Sequence, residues 1–128
     1  MAKILIIDDS LLARRMLKEI LTVEGHEFIE EKDGMSGIER YFLERPDLVL
    51  LDLTMEGMHG LEVLKKIREV DPKAKVVVAT ADIQSSTHQM VIDAGASGLI
   101  EKPFKESEVL EKVKEALVKC EGGKNGTY

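Results

Sequence analysis

Short runs of β-branched and aliphatic residues alternate along the chain with longer stretches in which apolar residues recur every three or four positions. The short runs predict strands at Lys3–Asp8, His26–Glu31, Asp47–Asp52, Lys75–Thr80 and Gly98–Glu101. Ala13, Met16, Leu17, Ile20 and Leu21 predict the apolar face of a first helix, with Gly25 placed where a C-cap glycine belongs. Met35, Ile38 and Phe42 predict the face of a second, ended by Pro46. Leu61, Leu64 and Ile67 predict a third, ended near Asp71–Pro72, and Val109, Val113, Ala116 and Cys120 predict a fifth. The fourth helix, about Gln84–Ala94, offers mainly Met90, Val91 and Ala94 to a core. So few apolar residues predict weak docking and a segment that moves.

Strand and helix in strict alternation predict an α/β fold, since parallel strands must be joined by crossovers and those crossovers cover both sheet faces. Ile4–Ile7, Leu48–Leu51 and Val76–Ala79 are continuously apolar, as strands buried on both faces should be. His26–Glu31 carries charge and reads as an edge strand. The expected organisation is one domain over residues 1–121, followed by a flexible tail over residues 122–128.

Composition narrows the class. The 128 residues suit one domain, and at 44% hydrophobic but only 4% aromatic the core must be aliphatic. A net charge of −6 argues against direct binding to nucleic acid, where phosphate contacts need clustered Lys and Arg. The single cysteine, Cys120, rules out an internal disulfide and points to a reducing compartment. No apolar run exceeds four residues, whereas a membrane-spanning helix needs roughly 20. Neither membrane insertion nor a secretory leader is expected, which makes the expected location the cytoplasm.

The chemistry gathers at one rim. Ligands of open α/β sheets bind beyond the carboxyl ends of the strands. The first strand there delivers Asp8–Asp9, the third Asp52, the fourth Thr80 and the fifth Glu101–Lys102–Pro103. Carboxylates crowded together repel unless a cation sits among them, and all-oxygen ligation suits Mg²⁺. A carboxylate-held ion is half of a phosphoryl-transfer site. Asp52 can be the nucleophile, forming an aspartyl phosphate, with Lys102 and Thr80 as donors to phosphoryl oxygens. Each residue alone has a plainer explanation: Asp9 and Ser10 as helix caps, Lys102 as a solvated lysine. Their joint placement is what carries the reading. His26, His59 and His88 lack metal-ligand spacing and read as surface residues.

In four segments, Ile4–Ser10 (ILIIDDS), Leu48–Met55 (LVLLDLTM), Val76–Ala81 (VVVATA) and Ile100–Phe104 (IEKPF), the chain resembles the response-regulator receiver domain of two-component signalling. The resemblance spans residues 3 to 120. It implies a flavodoxin-like three-layer fold with strand order 2-1-3-4-5. It implies Asp52 as phosphoacceptor and Asp8, Asp9, Asp52 and the Thr54 carbonyl as Mg²⁺ ligands. It also implies Thr80 as the switch hydroxyl, Lys102 as the phosphate-pairing lysine, and a cis bond before Pro103.

Such a domain takes its phosphoryl group from a histidine kinase, a phosphotransfer protein or a small phosphodonor. It signals to a protein partner through the surface of the fourth helix, fifth strand and fifth helix. It is a self-catalysing phosphoacceptor with slow autodephosphorylation, not a metabolic enzyme. Chemotaxis-type output, a phosphorelay intermediate and a fragment of a larger regulator all stay open.

Some positions depart from the family pattern. The loop after the acceptor reads Met55-Glu56-Gly57-Met58-His59-Gly60, with Glu56 in place of the usual proline. Leu99 stands where an aromatic switch residue is common. Thr54 and Asp82 are expected to flank the acceptor, with the Asp82 carboxylate affecting attack by water on the phosphoryl group. Two rivals fit less well. A haloacid-dehalogenase-type phosphatase wants Asp-x-Asp and a cap domain. A flavodoxin-like FMN binder wants a Ser/Thr/Gly-rich loop where Asp8-Asp9-Ser10 would repel phosphate.

Overall fold

The computed structural model describes the backbone of residues 1–55, 59–82 and 84–125, and side chains as far as residue 118. The chain runs β1 (Lys3–Ile7), α1 (Leu11–Thr22), β2 (Glu27–Glu31), α2 (Gly34–Glu44), β3 (Leu48–Asp52), α3 (Gly60–Val70), β4 (Val76–Thr80), α4 (Ser85–Asp93), β5 (Gly98–Glu101) and α5 (Glu106–Asn125). The strands form one parallel sheet in the order β2-β1-β3-β4-β5, the order expected.

Successive strand residues point to opposite faces, so each central strand feeds two cores. Leu5, Ile7, Val49, Leu51, Val76 and Val78 meet α2, α3 and α4 through Tyr41, Val63, Leu64, Ile67 and Val91. Ile4, Ile6, Leu48, Leu50 and Val77 meet α1 and α5 through Leu17, Leu21, Val109, Val113 and Ala116. All five residues of β3 and of β4 are buried, which is why their sequences are continuously apolar up to the carboxyl-terminal residue. β2 is an edge strand with one buried residue, Ile29, and it carries the charge expected of an edge.

The helices refine the expected faces. In α1, Ala13, Leu17 and Leu21 are buried while Met16 and Ile20 are half-buried, and Gly25 takes φ +76 in the turn that follows. In α2, Ile38 and Phe42 pack half-buried against the core as expected, but Met35 is 63% exposed, and the deepest contacts are made by Gly34, Gly37 and Tyr41. The reason is proximity: a Cβ on Gly37 would stand 2.5 Å from Ile7 Cδ1, and this helix lies so close to β1 that a larger residue would displace the Ile7 side chain. Tyr41 is buried because its hydroxyl has a partner, donating to Asp71 Oδ2 at 2.7 Å. In α4, Met90 is also exposed, and the helix buries Thr87 and Val91 alone among its residues. The domain boundary expected at 121 falls inside α5, whose backbone is helical to Asn125. The Cys120 side chain and residues 126–128 lie outside the described residues.

His26 was expected at the surface, but its side chain is 5% exposed. Its Nδ1 accepts from the Ala2 N–H at 3.0 Å, tying the turn before β2 to the start of β1. Burial, aided by the chain's amino terminus, holds its pKa below the ordinary 6.5, against a smaller opposing pull from Glu24. The stability it contributes is therefore present above about pH 6.5 and is lost as pH falls through the lower folded-state value.

Two outcomes follow. Replacing Tyr41 by Phe should cost about 1 kcal/mol, read as a lower urea midpoint at unchanged m-value, because Asp71 loses a donor without loss of packing. Between pH 7 and 5, wild type should lose more stability than His26→Gln. Parallel profiles for the two proteins would contradict the protonation account.

Candidate functional site

The site residues sit on hydrogen-bonded backbone at the carboxyl ends of the strands. The ladder continues just past them: Asp8 N donates to Glu31 O at 3.1 Å, Leu53 N to Ala79 O at 3.0 Å, and Lys102 N to Thr80 O at 2.9 Å. Parallel register places Asp52 beside Ala79 and Thr80 beside Glu101. Asp52 and Thr80 are thereby aimed by strands, and Asp8 and Lys102 by backbone held to the ladder one residue past a strand end, which limits their positional scatter.

Asp8 and Asp52 are buried to 1% and 3% exposure, while Asp9 is exposed. Carboxylate oxygens of Asp8, Asp9 and Asp52 all lie within 4.8 Å of one another. Lys102 bridges the two buried acids, with Nζ 3.0 Å from Asp8 Oδ2 and 3.3 Å from Asp52 Oδ1. Asp8 Oδ1 also accepts from Ser10 N at 2.9 Å, and Ser10 Oγ caps α1 by accepting from Ala13 N at 3.1 Å. Ser10, not Asp9, is the helix cap. Thr54 N donates to Asp52 Oδ1 at 3.3 Å. The Lys102–Pro103 bond is cis, as the resemblance implies.

The electrostatics follow from this crowding. Burial pushes the Asp8 carboxyl above its ordinary pKa. The bond from Ser10 opposes that, the Asp52 charge adds to it, and Lys102 partly offsets it. Burial alone would lower the Lys102 pKa, but the bond and charge of Asp8 together with the charge of Asp52 raise it, so the ammonium is secure. Lys102 faces Asp8 and Asp52, and Asp9 adds a third carboxylate to the cluster. The donor set is all oxygen, the kind that hard divalent cations take. These residues fit Mg²⁺.

Thr80 is fully buried, and its Oγ1 accepts from Asp82 N at 3.0 Å. Asp82, expected beside the acceptor, has its carboxylate committed elsewhere. Oδ1 accepts from Gln84 N at 3.0 Å and Oδ2 from Thr87 Oγ1 at 2.7 Å. Leu99 is half-buried against the core shared by α2, α3 and α4. Glu56 and its neighbours through Met58 lie outside the described residues.

Two supporting residues escaped the sequence reading. Arg14 reaches from α1 to donate to the Asp8 carbonyl at 2.7 Å while Nε donates to Glu30 at 2.9 Å. No spacing signals that pairing, because β2 brings Glu30 to it through the fold. Gly60 opens α3 directly against β3, where a Cβ would stand 2.3 Å from Asp52 O and 2.6 Å from Leu53 Cα. Its N–H donates to Leu53 O at 3.0 Å, tying the start of α3 to the residue after Asp52. A glycine just ahead of an apolar helical stretch was the available signal.

Comparison with known proteins agrees with this architecture. The profile of the response regulator receiver domain matches residues 4–114. The chain is 40% identical over 110 residues to the chemotaxis protein CheY of Thermotoga maritima, covering 85% of this chain and 92% of that one. It is 36% identical to sporulation initiation phosphotransferase F of Bacillus subtilis, covering 90% and 93%. Among solved structures, chemotaxis protein CheY4 of Vibrio cholerae superposes with a TM-score of 0.86 at 28% identity, covering 91% of this chain and 99% of that one. NtrX of Brucella abortus superposes at 0.90 with 31% identity, covering 97% of this chain but only 29% of that longer one. With its fold, its rim of acids and lysine and these relatives in agreement, the chain belongs to the response regulator receiver domain family.

Proposed function

We propose that this receiver domain accepts a phosphoryl group on Asp52 and converts that charge into a change of surface recognised by a protein partner. The observation that carries the reading is a single ammonium, Lys102, held between two buried carboxylates beside a third. The donor is a histidine kinase, a phosphotransfer protein or a small phosphodonor.

Asp8, Asp9, Asp52 and the backbone carbonyl of Thr54 would hold Mg²⁺, which when bound neutralises charge on the phosphoryl oxygens. An Asp52 oxygen attacks phosphorus in line with the leaving group. With a phosphohistidine donor the P–N bond breaks as the P–O bond forms, and the imidazole nitrogen keeps the electron pair and takes up a proton. Lys102, already beside the Asp52 carboxylate, pairs with an oxygen of the arriving group. Thr80, at the carboxyl end of β4 one residue past the Ala79 that pairs with Asp52, donates its hydroxyl to another. The acyl phosphate is later lost to water, so the chain is both acceptor and slow self-phosphatase, a signalling domain and not a metabolic catalyst.

Phosphorylation brings roughly two negative charges to the rim. The element best suited to respond is α4, docked by only two buried side chains, Thr87 and Val91. The surface of α4, β5 and α5 is therefore the proposed contact for the downstream protein. The relatives named above include a chemotaxis protein and a phosphotransferase, and the same switch serves either output. Among the described residues no helix is long and apolar enough to cross a membrane.

With labelled acetyl phosphate and Mg²⁺, wild type should acquire one acid-stable, base-labile phosphate, and Asp52→Asn none. Labelling that persists in Asp52→Asn would sink the acceptor assignment. Mg²⁺ should also raise the thermal midpoint of wild type, by binding worth about 2.7 kcal/mol at a hundredfold excess over Kd. Asp8→Asn should lose most of that gain in the same calorimetric titration.

A further inference from the structure

The segment joining β4 to α4 contains an arrangement that the phosphoryl chemistry does not use. Thr80, at the tip of β4, is wholly buried, and its hydroxyl oxygen accepts the Asp82 N–H. The Asp82 side chain then reaches into the first turn of α4. One oxygen accepts from Gln84 N and the other from the Thr87 hydroxyl at 2.7 Å. Gln84 is the N-cap residue of α4 and caps nothing with its own side chain, so the Asp82 carboxylate stands in for the missing cap. Thr87 is one of only two buried residues of that helix. The hydrogen bond from Thr87, followed by that from Gln84 N, holds the Asp82 pKa below its ordinary value, so the carboxylate is ionised whenever the lock is made.

We propose that Asp82 is a positioning residue that ties the Thr80 hydroxyl to the start of α4 and holds that helix in its resting placement. This rests on the phosphoacceptor reading of Asp52 and specifies how the charge placed there reaches the surface. Thr80 has a β-branched side chain with few allowed rotamers, so turning its hydroxyl toward a phosphoryl oxygen is a discrete change. That turn withdraws the acceptor from Asp82 N. Asp82 is exposed, so water can replace the lost bond at small cost. The Asp82 backbone then moves, and its carboxylate moves with it, pulling on Gln84 N and Thr87 at once. A helix held inside by Thr87 and Val91 alone has little packing to resist. The coupling path is thus four residues long, Thr80 to Asp82 to Gln84 and Thr87, with every link a hydrogen bond between named atoms. It requires no ring at position 99, where this chain has leucine.

The lock belongs to the resting state, so removing it should bias the unphosphorylated protein toward the switched one. Thr87→Val keeps the shape and deletes the donor to Asp82; Thr87→Ser keeps the donor. Amide NMR without ligand should show the α4 signals of Thr87→Val displaced toward the positions that wild type reaches with beryllofluoride and Mg²⁺. The same variant should bind beryllofluoride about fivefold more tightly, as expected for loss of one resting-state hydrogen bond. Asp82→Ala should shift in the same direction, and Thr87→Ser should match wild type in both measurements. A purely structural role would instead loosen α4 while leaving beryllofluoride affinity unchanged. If wild type responds at Asp52 and α4 but Thr87→Val has unaltered affinity and resting α4 shifts, the lock is wrong and the acceptor reading stands. If wild type shows no response at Asp52 to beryllofluoride and Mg²⁺, the acceptor reading fails and the lock falls with it.

Discussion

Two buried carboxylates sharing one ammonium is the arrangement around which this protein is organised. Asp8 and Asp52 come from neighbouring strands, Lys102 comes from the far edge of the sheet, and their oxygens and nitrogen meet within 3.0 and 3.3 Å. Burying such groups is expensive unless each is paired and hydrogen-bonded. Here Lys102 answers both acids, Ser10 N answers Asp8, and Thr54 N answers Asp52. Asp9 brings a third carboxylate oxygen within 4.8 Å of theirs, and burial keeps the Asp8 pKa raised. Three carboxylates gathered this closely make an all-oxygen cluster of the kind that could hold a metal ion.

That arrangement depends on the sheet beneath it. A slip of one residue in any strand would send its side chain to the opposite face, so Asp52 and Lys102 would no longer meet. Continuous burial on both faces of β3 and β4 fixes their pairing, and hydrogen bonds past the strand ends carry the register out to the rim. Gly60 lets α3 start against the Asp52 carbonyl, and Gly37 lets α2 lie against Ile7. At Gly60 the neighbour is backbone and cannot give way, and at Gly37 a larger residue would have to displace the Ile7 side chain.

The responsive half is built on the opposite principle. Helix α4 carries exposed Met90 and Ile92, each 51% accessible, and is capped by a residue outside its own boundaries. Elements with few buried contacts open at low free energy, and switches are drawn from them. A stiff site that gathers charge and a loosely held helix within hydrogen-bonding reach of it are complementary requirements, and Asp82 stands where they meet.

The linear pattern by itself determined the alternation of strands and helices, the parallel sheet, the charged edge at β2, and the rim of Asp8, Asp9, Asp52, Thr80 and Lys102. All of these follow from period-two and period-3.6 burial, and from polar residues placed directly after apolar runs. Tertiary structure alone decided that Gly37 and Tyr41, beside the expected Ile38 and Phe42, are the residues of α2 buried most deeply, since they count as weak apolar signals until Ile7 and Asp71 are brought to them. It also decided that His26 is inside, that Arg14 supports the Asp8 carbonyl, and that the Asp82 carboxylate serves α4 and not the acceptor's solvent side. In each case the deciding partner is set by how the chain turns between elements or by residues distant in sequence, and local periodicity carries no information about contacts of that kind.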